Sequence, residues 1–297
     1  MDITEHIPPI SCRLAGQTIW FNQSLNELQP FRLEGLTSPP CSLPANLLEL
    51  VREPPLLQAV GGLADKSTSI SLWRDDNGYL LEIPAAGFFW TAMSGSCIYQ
   101  VFRVPSANPS LLCESILGPP LALALCLSGI WCLHASAIEY ENQLAVFVGS
   151  SGAGKSTLAT YLADHSGIRQ TADDILPVSE AVQGVNALPH FPQLKIHPEE
   201  QPGLAFPERL PLSVIYLLDE GVDVSLETLS PAEAAMSLAG HTVAAHLFDR
   251  QLISQHFTFC SQSATVVPVR KLIYPRKFSQ LPQVWQVLKN DLAGIHA

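Results

Sequence analysis

Charged side chains are scarce in this chain of 297 residues. Lys and Arg number 16 and Asp and Glu 27, so charged residues make up 14% of the chain and the formal net charge is −11. Nucleic-acid binders need clustered cations to neutralise phosphate backbones. The one basic cluster, "RKLIYPRK" at 270–277, is short, and we interpret it as a solvated strand edge. The sequence therefore predicts no nucleic-acid partner.

Closely spaced cysteine pairs and membrane-length apolar runs are missing as well. The seven cysteines include no C-x-x-C pair, which indicates reduced, mostly buried thiols and a cytoplasmic protein. The amino-terminal "MDITEHIPPI" has neither the basic nor the apolar region of a secretory signal. The apolar stretch at 121–133 is too short to span a bilayer. We predict a buried helix over 119–127, a turn at 128–129 and no membrane partner.

Residues 1–115 are predicted to form a β-rich module. Aromatic and β-branched segments alternate with turn signals there, and Asn77-Gly78 predicts a hairpin. The proline-rich stretch 38–62 predicts one short helix over 44–51. This part carries no catalytic constellation, so we expect it to serve recognition or dimerisation, and the sequence leaves homo-oligomer formation open. The predicted strands are 17–21, 69–74, 79–83, 87–91 and 97–104.

A second, α/β domain is predicted over residues 116–297. Apolar strands alternate with amphipathic segments, and Ser230 followed by Pro231 is typical of a helix start. The predicted strands are 131–140, 143–149, 167–178, 212–221 and 264–274, and the predicted helices are 156–165, 230–243 and 281–292.

The clearest motif is the glycine-rich segment "GSSGAGKST". Two glycines flank four residues, and a lysine and a hydroxyl residue follow, which is the pattern of a phosphate-binding loop. A strand precedes it and a helix follows, so backbone N–H groups and the helix dipole would face an anion. Lys155 is expected to contact the β and γ phosphates of ATP, and Ser156 to offer its hydroxyl to Mg²⁺. The predicted nucleotide-binding residues are Gly149, Ser150, Ser151, Gly152, Ala153, Gly154, Lys155, Ser156 and Thr157.

Two acidic pairs compete for the catalytic roles. Asp219-Glu220 ends an apolar strand as in transport-type ATPases, where Asp219 would hold magnesium and Glu220 would activate water, but no LSGGQ-like signature accompanies it. Asp173-Asp174 ends a strand that we expect beside the phosphate-loop strand. Adjacent carboxylates on a strand point to opposite faces, which suits distinct roles. His134 precedes the loop by 15 residues and has small neighbours.

Three segments, "LHASAI", "GSSGAGKST" and "TADDILPV", together resemble the HPr kinase/phosphorylase family. The resemblance covers roughly residues 128–297 and implies a P-loop fold related to phosphoenolpyruvate carboxykinase, with ATP and Mg²⁺ as cofactors. It implies that Asp173 acts as base toward a serine hydroxyl. It also implies that Lys155 and Ser156 bind phosphate and magnesium. Asp174, on the metal side, and His134 would support them.

The chain also departs from the bacterial HPr enzyme. The glycine-rich signature loop is missing, and "HFPQLKIHPEE" at 190–200 stands in its place. This stretch, "LPLSVIYLLD" and "VPVRKLIYPRKF" look more like HPr-kinase-related proteins of peptide-natural-product clusters. Some of those, the lasso-peptide kinases, phosphorylate a serine on a ribosomally made precursor. The resemblance therefore implies a serine kinase with a peptide substrate. The alternatives are a non-catalytic nucleotide-binding partner of a biosynthetic complex and an ATPase that uses Asp219 and Glu220.

Overall fold

A computed structural model of the chain describes residues 8–63, 66–196 and 207–295. The expectations for residues 1–7 and for the 197–200 part of "HFPQLKIHPEE" lie outside the described residues. Within them the chain forms two compact units, each with a seven-stranded sheet. The protein is therefore a mixed α/β protein, as the sequence predicted. The domain limits at residues 115 and 116 stay a prediction.

The first unit contains the described residues up to Cys132 together with 190–192 and 243–252. Side chains along a strand point alternately to the two faces of the sheet, and in β5 and β6 most of them are buried on both faces. Leu80 and Trp90 lie in one apolar cluster with Trp20, Trp73 and Tyr99. The strands are β1 (Ile10–Leu14), β2 (Gln17–Phe21), β3 (Leu57–Leu63), β4 (Lys66–Arg74), β5 (Gly78–Ile83), β6 (Gly87–Ala92) and β7 (Cys97–Arg103).

The sheet of the first unit has the strand order β1-β2-β7-β6-β5-β4-β3. All neighbours are antiparallel except β2 and β7. The five strands predicted from the sequence are present, whereas β1 and β3 were not predicted. Residues 57–63 were assigned to a proline-rich connection, yet they pair with β4 along their whole length. The predicted helix over 44–51 is a single turn, α1 (Leu47–Leu50).

Two consecutive helices, α2 (Pro109–Leu117) and α3 (Pro119–Leu127), complete the first unit. The bounds of α3 match the predicted buried helix, and α3 packs against β6 and β7. Gly118 separates the two helices, and a proline starts each of them. The stretch Pro109–Leu127 is long and apolar enough for a membrane span, but most of it is buried inside the protein, as in core helices.

The cysteines differ in part from the expectation of reduced thiols. Cys41 and Cys97 form a disulfide, although 56 positions separate them in the sequence. Cys97 starts β7, and folding of the sheet brings the loop before α1 to it. The other five cysteines are unpaired and buried. Burial raises the pKa of the Cys132 thiol to about 12, so this group stays protonated at neutral pH.

The second unit contains residues 133–189, 193–242 and 253–295 of the described chain. Its sheet has the order β11-β10-β8-β9-β12-β14-β13, in which β9, β12 and β14 are parallel neighbours. The strands are β8 (Trp131–Tyr140), β9 (Gln143–Val148), β10 (Ile168–Glu180), β11 (Val185–Ala187), β12 (Leu210–Glu220), β13 (Ser225–Thr228) and β14 (Val269–Tyr274), and the helices are α4 (Lys155–Ala163), α5 (Pro231–Gly240), α6 (Arg250–Val266) and α7 (Leu281–Ile295).

One apolar core holds the parallel strands of the second unit to α4 and α7. Phe147 of β9 and Tyr216 of β12 are fully buried and stack at 5.9 Å between ring centroids. Leu158 of α4 and Val284 of α7 belong to the same cluster. At 25 cal/mol per Å² of apolar surface, each such side chain contributes about 1.5–3 kcal/mol. This packing fixes the start of α4 over the end of β9.

Three expectations for the second unit are wrong. The aspartate-bearing strand β10 does not lie beside β9, because the hairpin partner β8 occupies that position. Residues 264–266 belong to α6, a helix that was not predicted, and the following strand begins only after Pro268, since proline cannot continue a helix. The basic cluster is not at a sheet edge, because β14 lies between β12 and β13.

Gly87 tests the packing of the first unit. Its φ is +135°, and a Cβ there would lie 1.9 Å from the Phe102 carbonyl oxygen. We expect Gly87→Ala to lower the free energy of unfolding by about 3 kcal/mol or more, because positive-φ strain and overpacking add. Gly129→Ala is the control, since φ is +73° there and no atom lies within 4 Å of the Cβ position. Urea unfolding followed by tryptophan fluorescence measures both, and equal losses would contradict the prediction.

Candidate functional site

The glycine-rich loop connects β9 to α4, as the sequence predicted. Gly154 caps the helix with φ +93°, a conformation that glycine adopts without strain. Ala153 is buried and anchors the loop, whereas Ser150, Ser151, Ser156 and Thr157 are exposed. The loop therefore presents polar residues and the positive end of a nine-residue helix to solvent.

Lys155 folds back over the loop. Its Nζ donates to the carbonyl oxygens of Gly149 at 2.8 Å and Ser150 at 3.3 Å. Burial lowers the pKa of this ammonium, and the charge of Lys195 lowers it further, while Asp174 and Asp173 oppose the shift. A phosphate that displaced the two carbonyl oxygens would meet a compact cation already held at the mouth of the loop.

Asp173 is the buried centre of the site, with 5% of its surface exposed. Its Oδ1 accepts hydrogen bonds from Ser136 Oγ at 2.6 Å and from Ser156 Oγ at 2.7 Å. These bonds join β8, β10 and the first turn of α4. Charge-assisted hydrogen bonds of this length are strong, and they compensate the burial of a carboxylate. Ser156, the hydroxyl expected at the metal, thus contacts Asp173, the expected base, and not Asp174, the carboxylate expected at the metal.

Asp174 faces a different set of groups. Its Oδ1 lies 3.2 Å from His134 Nδ1 and 3.1 Å from Lys195 Nζ, and its carbonyl oxygen lies 3.1 Å from the same His134 nitrogen. Both oxygens are acceptors, so His134 Nδ1 carries the proton. Burial alone would raise the pKa of Asp174, but the hydrogen bonds from His134 and Lys195 outweigh it and lower the pKa. Asp174 is therefore ionised at neutral pH.

The backbone explains how these residues meet. Ala135 pairs with Val148 in the β8–β9 hairpin, so His134 comes opposite the first glycine of the loop. The aspartates do not end their strand as expected, because Leu176 and Val178 continue it with buried side chains. The predicted residues Lys155, Ser156, Asp173, Asp174 and His134 are all brought to one site in the second unit.

Asp219 and Glu220 end β12 near the start of the loop, but cations neutralise them. Lys271 Nζ lies 2.6 Å from Asp219 Oδ2, and Arg276 Nε lies 3.6 Å from Glu220 Oε2. The hydrogen bond from Lys271 lowers the pKa of Asp219. Arg276 also donates to the Gly152 carbonyl oxygen at 3.2 Å. These contacts are those of a strand end tied to the next strand.

Four residues near the site were not singled out from the sequence: Gln193, Lys195, His241 and Arg276. His134 N donates to the His241 carbonyl oxygen at 2.7 Å, beside a bridge between Leu133 and Thr242. Burial lowers the pKa of His241, and electrostatic repulsion from Lys155 and His134 lowers it further. The imidazole of His241 is therefore neutral at pH 7. His241 was assigned to the helix predicted over 230–243, but α5 ends at Gly240, so that assignment did not indicate its partner. Ser136 was noted only as a small neighbour.

The donor set at the loop is suited to magnesium. Mg²⁺ binds oxygen ligands and in nucleotide sites uses one or two carboxylates together with phosphates. The Ser156 hydroxyl and the Asp173 carboxylate provide such oxygens side by side. In the described part of the chain no three His, Cys, Asp or Glu side chains form a metal-binding group.

Comparisons with known proteins find similarity among solved structures alone. No family model matches the chain, and no curated protein matches it. Among solved structures, the chain is similar to one titled "Structure of the Hpr(Ser) kinase/phosphatase from Coxiella burnetii". The TM-score is 0.33 and the identity 11%, over 56% of this chain and 99% of that chain. The contacts of the loop and the aspartates, rather than this similarity, support the function that we propose.

Proposed function

We propose that the chain is an ATP- and Mg²⁺-dependent kinase that transfers the γ-phosphoryl group to a serine hydroxyl on a ribosomally made, lasso-type precursor peptide. The observation that carries the proposal is the 2.7 Å hydrogen bond between Ser156 Oγ and Asp173 Oδ1. In P-loop enzymes a loop hydroxyl and a carboxylate from a neighbouring strand hold the metal of the nucleotide. The peptide as acceptor rests on the resemblance of "HFPQLKIHPEE", "LPLSVIYLLD" and "VPVRKLIYPRKF" to proteins of peptide-natural-product clusters. We also propose a cytoplasmic location.

The metal side of the site would use Ser156 and Asp173. Ser156 and Asp173 would hold a magnesium ion there, which would supply positive charge toward the phosphates of the nucleotide. Ser136 and Ser156 hold the Asp173 carboxylate in one orientation. Lys155 would exchange the carbonyl oxygens of Gly149 and Ser150 for phosphate oxygens, and the amino end of α4 would add its dipole.

The acceptor side would use Asp174, His134 and Lys195. The serine hydroxyl gives its proton to a carboxylate while its oxygen forms the new bond to phosphorus, and the bond from that phosphorus to the leaving oxygen of ADP breaks. The resemblance implies Asp173 as this base and Asp174 on the metal side. The hydrogen bonds support the opposite division, because Asp173 is buried against Ser156, whereas 29% of the Asp174 side chain is exposed.

Lys155→Met tests nucleotide binding at the loop. The substitution keeps the length of the side chain but removes the charge that would face the phosphates. We expect phosphoryl transfer to fall by about 10²-fold or more. Calorimetry with Mg-ATP and mass spectrometry over a panel of serine-bearing peptides measure binding and transfer. Lys289→Met, an exposed position on α7, is the control. Unchanged transfer in Lys155→Met would contradict the assignment.

Asp173→Asn and Asp174→Asn separate the two carboxylate roles. In the division that the contacts support, Asp173→Asn raises the Mg²⁺ concentration for half-maximal nucleotide binding by about 10–100-fold. Asp174→Asn leaves Mg-ATP affinity near normal and lowers transfer by about 10²–10⁴-fold. The same calorimetric and mass-spectrometric measurements apply to both. The reverse pattern, with Asp173→Asn binding Mg-ATP normally but failing to transfer, would assign the base to Asp173.

Glu220→Gln tests the alternative hypothesis that the protein is an ATPase that uses Asp219 and Glu220. Because Arg276 pairs with Glu220 on an exposed strand end, we expect this variant to keep phosphoryl transfer within a factor of about three of the wild type, as for other exposed ion pairs. Circular dichroism checks that the fold is retained. A loss of several hundredfold in kcat would move the catalytic acid to β12.

A further inference from the structure

The backbone of Asp174 departs from the strand that contains it. β10 runs through 13 residues, from Ile168 to Glu180, yet φ of Asp174 is +88°. Extended residues have φ near −120°, and residues other than glycine seldom adopt positive values. We expected the carboxylates of Asp173 and Asp174 to point to opposite faces because side chains alternate along a regular strand. That alternation is interrupted at Asp174. Both carboxylates act electrostatically on Lys155.

One side chain bonds the backbone on both sides of this irregular residue. Gln193 Oε1 accepts from the Asp173 backbone N–H at 2.9 Å, and Gln193 Nε2 donates to the Ile175 carbonyl oxygen at 3.1 Å. A carboxamide offers an acceptor and a donor from one planar group. A glutamate would keep the acceptor and lose the donor, and a methionine would lose both.

The position of Gln193 makes these bonds costly to lose. The residue is 2% exposed, so water does not replace a missing partner. Two residues later, Lys195 Nζ contacts the Asp174 carboxylate at 3.1 Å. The segment 193–195 therefore holds the aspartate pair by its backbone and by a side chain. It belongs to "HFPQLKIHPEE", the stretch that stands where the signature loop was expected.

We propose that Gln193 is a positioning residue, which fixes the positive-φ backbone at Asp174 and thereby directs both carboxylates of the pair to the loop. The proposal rests on the proposed kinase function for its catalytic consequence, but the hydrogen bonds themselves are independent of it. Gln193 touches neither Ser156 nor Lys155 in these contacts, so it would act through Asp173 and Asp174. Its loss should change the rate of transfer more than the affinity for the nucleotide.

The two hydrogen bonds between Gln193 and the backbone of Asp173 and Ile175 are called the clamp below. Hydrogen exchange tests the clamp without any substrate. In Gln193→Met the Asp173 amide loses its acceptor, so its exchange should accelerate at least about fivefold. Gln193→Glu keeps that acceptor, so exchange at Asp173 should stay close to the wild-type rate. Gln143→Met is the matched control: Gln143 is also buried, and its Nε2 donates to the Leu292 carbonyl oxygen at the end of β9 away from the loop. Equal exchange at Asp173 in Gln193→Met and the wild type would overturn the clamp.

Kinetics test the positioning role. We expect Gln193→Met to lower kcat by about 10²-fold and to change the Kd for Mg-ATP by a smaller factor, since displacement of a catalytic group by about 1 Å costs this much in rate. Gln193→Glu should lie between this variant and the wild type, and Gln143→Met should keep wild-type kcat. Equal kcat in Gln193→Met and Gln143→Met would overturn the positioning role. Absence of Mg-ATP binding by the wild type would instead overturn the proposed function, while the exchange result would still decide the clamp.

Discussion

The carboxylate of Asp173 is the contact on which the site depends. A buried charge needs hydrogen-bond partners, and this one takes its partners from Ser136 on β8 and Ser156 on α4. Three elements that meet only in the folded second unit are joined at a single oxygen atom. The orientation of the first turn of α4 over the sheet is therefore set by polar bonds as well as by the apolar core below it. Removing either hydroxyl would leave the other to hold the carboxylate alone.

The electrostatics of the site differ from those of the chain as a whole. The net charge is −11, yet Lys195 contacts Asp174 at 3.1 Å, and the charge of Lys195 lowers the pKa of Lys155. His134 holds the same carboxylate. Two lysines and two aspartates, Asp173 and Asp174, therefore meet beside the amino terminus of α4, so their charges balance within the site.

Much of the architecture could be read from local signals, and the site geometry could not. The hairpin of β8 and β9 and the bounds of α3 follow from turn residues, prolines and apolar runs within the segments themselves. The helix α6 was missed because Ile253 and Phe257 are exposed, so its apolar residues do not mark one buried face. The position of β10 beside β8 depends on which strand of the β8–β9 hairpin has an edge free to pair with it. The bonds of Gln193 join residues 18 and 20 positions apart, and no periodicity predicts them.

The division of the chain into units has a consequence for synthesis. Residues 243–252 belong to the first unit, and there the Asp249 carboxylate accepts a hydrogen bond from Tyr79 Oη at 2.7 Å and pairs with Arg74. Tyr79 and Asp249 are 170 positions apart. At about 5–20 residues per second, the ribosome delivers this partner roughly 10–30 seconds after the strand that needs it. The strand that contains Tyr79 is therefore synthesised well before the carboxylate that accepts its hydrogen bond.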